Sequence, residues 1–88
     1  MKKKVVEQID NIVAIIYSID KVNLDQAFVE LIDCLVVYIE QEQLINDVEL
    51  NEILLSLQNA YSKKDLVELA DVLLYELKEF VENIDISM

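Results

Sequence analysis

The sequence predicts an all-α fold, a four-helix antiparallel bundle of two αα-hairpins, and three observations predict it. The 88 residues contain no Gly and no Pro, the residues on which tight strand-to-strand turns depend most heavily. Apolar residues recur at three- and four-residue steps in four separate stretches, as one buried face of a helix requires. The short segments between those stretches hold Asn, Asp and Ser, whose side chains accept hydrogen bonds from the first free N–H groups of a helix.

The first helix is expected over residues 2–17, where Val5, Ile9, Ile12 and Ile16 form the stripe and Val6 and Val13 widen it. Its many β-branched residues have weak helix propensity, so packing must hold it. A turn over 20–23 follows, with Asn23 as cap and Gln26 completing a capping box. The second helix, 24–43, turns Leu24, Phe28, Leu31, Ile32, Leu35 and Ile39 inward. Val29, Val36, Val37 and Tyr38 carry apolar surface around its other side. The third helix, 47–60, presents Leu50, Ile53, Leu54 and Leu57, with Asn46 and Glu49 at capping-box spacing. Ser62 is the expected cap of the fourth, 63–83, which runs through Leu66, Leu69, Ala70, Leu73, Leu74, Leu77, Phe80 and Val81. The end from Ile84 onward is expected to fray.

Composition then narrows the function. Apolar residues make up 55% of the chain, above the ~45–50% usual for soluble domains. A chain this short has a thin core, so the surplus predicts a homodimer or a bound protein partner, with Val29, Val36, Val37 and Tyr38 as the contact. The 18 acidic and 7 basic residues give a net charge of −11, which repels phosphates and argues against nucleic acid. No stretch approaches the ~18 apolar residues of a membrane span. The basic start Lys2-Lys3-Lys4 is followed by Glu7, Gln8, Asp10 and Asn11, which interrupt any export signal, so a cytoplasmic location is expected.

Chemistry-bearing groups are few. There is no His, and the single Cys34 sits in an apolar run where it reads as a small core residue. The most specific pattern is a pair of acidic spacings, Glu49 with Glu52 and Glu68 with Asp71, each three residues apart and so on one helix side. Four convergent carboxylates would suit Mg²⁺ or Mn²⁺.

The text around Glu68-Leu69-Ala70-Asp71 resembles the second acidic motif of the all-helical MazG- and dUTPase-type nucleoside triphosphate pyrophosphohydrolases. That resemblance implies a metal-dependent enzyme using Glu49, Glu52, Glu68 and Asp71. The sequence departs from the family's first motif, where two adjacent glutamates are usual and Val48-Glu49 stands here. A wider stretch, from Leu57 through Asp65, Leu69-Ala70-Asp71, Leu73 and Tyr75-Glu76-Leu77, resembles small Firmicutes all-helical proteins of unknown function. It implies a helical domain without assigned catalytic residues, with Asp71, Tyr75 and Glu76 the positions to watch. The favoured expectation is a protein–protein interaction or adaptor module without a cofactor. The alternatives are the metal-dependent pyrophosphohydrolase and an acidic antitoxin or immunity-type inhibitor.

Overall fold

The computed structural model describes residues 2–18 and 23–84. They form four helices and, among the described residues, no strand: α1 (Lys2–Ile16), α2 (Leu24–Gln41), α3 (Val48–Ser62) and α4, residues 66–84. Helix α4 is continuous but not uniform. It is α-helical over Leu66–Asp71, π-helical over Val72–Leu77 and α-helical again over Lys78–Ile84. The first turn, expected at 20–23, lies outside the described residues except for Asn23, as do residues 85–88.

Helix α1 packs along α2 on one side and along all three stretches of α4 on the other, while α3 packs on α4. Polar contacts also join α1 to α4. The Lys2 ammonium donates to the Glu82 carbonyl at 3.3 Å, and Lys78 reaches the Asp10 carboxylate at 2.9 Å. That exposed ion pair contributes at most ~1 kcal/mol, so burial of apolar side chains holds the helices together. The stripe Val5, Ile9, Ile12 and Ile16 is buried as α1 requires, with Val6 and Val13 packed against it.

Helix α2 is rotated from its expected setting. Its most buried residues are Ala27, Leu31, Cys34, Leu35 and Tyr38, while Leu24, Phe28, Ile32 and Ile39 are half-buried. Ala27 and Cys34, seven residues apart, line the α1–α2 boundary. Both are buried, and the face centred on Leu31 points inward with them. Tyr38 turns in with them. At 2% exposure it belongs to the core, which corrects its expected place on the outer face.

The turns correct three caps. Asn23 occupies the cap position of α2 but makes no capping bond, and Gln26 instead donates to Glu30 at 3.5 Å. Helix α3 is capped by Asp47 rather than Asn46, its carboxylate accepting from the Leu50 N–H at 2.9 Å. Helix α4 is capped by Asp65 rather than Ser62, through the Glu68 N–H at 3.1 Å. Ser62 is the last residue of α3. In both cases a carboxylate, which also meets the positive end of the helix dipole, displaces the neutral candidate.

Helix ends that usually need glycine are made without it. Gln43 and Lys64 adopt left-handed backbone, with φ of 56° and 58°. Each sits in the same double-bonded stop, with Gln43 N–H to Glu40 and Leu44 N–H to Ile39 in one, Lys64 N–H to Tyr61 and Asp65 N–H to Ala60 in the other. This is the Schellman arrangement, and buried Leu44 provides its usual apolar contact. Asp65 therefore ends α3 with its N–H and begins α4 with its carboxylate. A side chain in the left-handed region costs roughly 1–2 kcal/mol, partly offset by the chain freedom glycine loses. Lys64→Gly should raise the unfolding free energy by about 0.5–1 kcal/mol in urea titration. An unchanged midpoint would show that Lys64 is unstrained.

Candidate functional site

A groove of about 640 Å³ lies between α3 and α4. The α3 wall supplies Asp47, Glu49, Glu52, Ile53 and Ser56, and the α4 wall supplies Tyr75, Glu76, Glu79, Phe80 and Asn83. Five of these are carboxylates and none is basic. Half-buried Phe80 and the edge of buried Ile53 supply the apolar part of the lining, and Tyr75 stands 69% exposed.

The π-helical stretch shapes this wall. Leu69, Leu73, Leu77 and Val81 are all fully buried, yet they repeat at steps of four. In a straight α-helix twelve residues overshoot three turns by about 120°. The wide turns, closed by bonds such as Lys78 N–H to the Leu73 carbonyl, take up about one extra residue and keep the four aligned. The same slip places Val81 in the core and leaves Phe80 half-exposed along the groove.

The expected acidic quartet divides. Glu49 and Glu52 line the groove, while Glu68 and Asp71 are exposed elsewhere on α4 and do not. Among the described residues, no three carboxylates or thiols gather as a metal-binding group. The carboxylates on the opposite wall are Glu76 and Glu79, a further acidic pair three residues apart that the sequence expectation does not include. The signal was available. Glu52 and Glu76 each stand 12 residues from Lys64, and Glu49 and Glu79 each 15, as a hairpin folded at that turn would pair them.

On α2, Val29, Val36 and Val37 are 57%, 48% and 42% exposed, as expected of an outer face. The helix bears Asp25, Glu30, Asp33 and Glu40 and no basic residue. Val37 lies toward α1, beside Lys4, Gln8 and Cys34.

At the far end of α3 from the groove, the Phe28 and Tyr61 rings stack with centroids 3.9 Å apart and planes within 4°. The Tyr61 hydroxyl donates to the Asp25 carboxylate. This clasp ties α2 to α3, and the stacked pair contributes about 0.5–1.5 kcal/mol beyond burial. The hydrogen bond to Asp25, then desolvation, then the carboxylate's charge lift the Tyr61 phenol from 10.0 to about 12. Asp10 raises the Lys78 ammonium as well, chiefly through its hydrogen bond. Both shifts favour the protonated forms in the folded chain. For Tyr61 the stabilisation is complete below pH ~10 and is lost as pH rises through about 12. Stability should therefore fall between pH 10 and pH 12, with a late tyrosinate absorbance step near pH 12 that Tyr61→Phe removes. A step that persists in that variant would assign it to another tyrosine.

No protein-family model, curated protein or solved structure matches the chain. No helix among the described residues is long and apolar enough to cross a membrane.

Proposed function

We propose that this chain is a cytoplasmic protein-interaction module, of the kind its likeness to small Firmicutes helical proteins suggests, built as an antiparallel bundle of two αα-hairpins. The observation that carries the reading is surface composition. Nine large apolar side chains stand exposed among the described residues, Val29, Val36 and Tyr75 among them, on a chain with a net charge of −11. Apolar surface ringed by one sign of charge is the composition of a docking face.

The charge also bears on the choice of partner. A symmetric pairing of two α2 faces would set Asp25, Glu30, Asp33 and Glu40 against their own copies, at a cost in like-charge repulsion. A basic partner meets the same acids with gain. The two partners have opposite salt dependence: added salt strengthens self-association of an acidic chain and weakens its hold on a basic protein. Sedimentation from low to high salt, paired with capture from the host cytoplasm and mass spectrometry, separates them. The expected result is a monomer at low salt that captures a basic protein, with capture lost on raising the salt. Hydrolysis of a nucleoside triphosphate in the presence of Mn²⁺ would contradict the reading.

A further inference from the structure

The groove between α3 and α4 is more specific than the rest of the acidic surface. Apolar surface opens into it at Phe80 and at the exposed ring of Tyr75, over the edge of buried Ile53. The two walls run over residues 47–56 and 75–83, which at 1.5 Å per residue is about 12–14 Å, or two turns of a partner helix. Carboxylates stand along both walls rather than at one point, with no three gathered as they would be around an ion. The nearest cation of α4, Lys78, is engaged by Asp10 of α1.

We propose that this groove docks a basic amphipathic helix of a partner protein. Two apolar side chains at helical spacing would lie on Phe80 and Tyr75, while lysines or arginines flanking them meet Glu49, Glu52, Glu76 and Glu79. Helix-in-groove recognition uses this division, with apolar anchors giving affinity and flanking charge giving orientation and choice of partner. The proposal rests on the interaction-module reading and places its site on α3 and α4 instead of the α2 face.

The probe is a fluorescein-labelled 18-residue helical peptide with leucine along one face and lysine along the other, followed by anisotropy. The wild-type chain is expected to bind it saturably, and to ignore the same peptide with glutamate in place of lysine. Glu52→Lys with Glu76→Lys should weaken binding by about tenfold or more. Glu68→Lys with Asp71→Lys makes the same change in net charge outside the groove, and should weaken it by less than about threefold. Circular dichroism confirms that each variant is folded. Equal loss in both double variants would show that net charge alone attracts the peptide and would overturn the groove. Loss confined to Val29→Ser with Val36→Ser would also overturn it, while leaving the interaction-module reading in place. Absence of saturable binding by the wild-type chain overturns the proposal outright.

Discussion

Replacing Leu73 with alanine should lower the unfolding free energy by about 2–5 kcal/mol, the range for emptying a fully buried leucine site. Leu73 is completely buried and lies in the π-helical stretch, which packs on both α1 and α3. A chain of this length has a total stability of roughly 4–13 kcal/mol, so the variant is expected near the edge of folding. Urea denaturation followed by circular dichroism reads the change. A loss below about 1 kcal/mol would mean that the site collapses around the smaller side chain or that Leu73 lies outside the core.

The second large effect tests the register of α4. Val81→Asn should cost about 3 kcal/mol or more, because an unpartnered amide replaces an apolar side chain in a fully buried position. Phe80→Asn should cost about 1–2 kcal/mol, since Phe80 is half-exposed in the groove and water can reach the new amide. In a straight α-helix the order would reverse, with Phe80 turning toward Leu69, Leu73 and Leu77. Matched urea titrations of the two variants decide the register, and a larger loss for Phe80→Asn would remove the π-helical stretch from the description.

The α1 stripe was legible because Val5, Ile9, Ile12 and Ile16 keep strict α spacing and the structure buries all four. Tyr38 was misplaced because a large amphipathic side chain reads as surface, whereas it shares the buried face of α2 with Ala27, Leu31, Cys34 and Leu35. The caps moved because charged Asp47 and Asp65 compete with Asn46 and Ser62 for the same N–H groups, and the charge–dipole attraction that favours the acids is additional to the spacing pattern. The groove was half legible. Glu49 and Glu52 stood out as a spaced pair, but their counterparts depend on which part of α4 faces the start of α3. Counting outward from the turn at Lys64 identifies Glu76 and Glu79, and the four-residue steps from Leu69 to Val81 signal the wide turns that expose Phe80.

That groove as a docking surface is tested most directly by nuclear magnetic resonance titration of ¹⁵N-labelled chain with the unlabelled leucine–lysine peptide. Amide shifts should concentrate on residues 47–56 and 75–83, with the backbone around Val29 and Val36 unmoved. Shifts centred on α2, or spread evenly over every acidic residue, would contradict it.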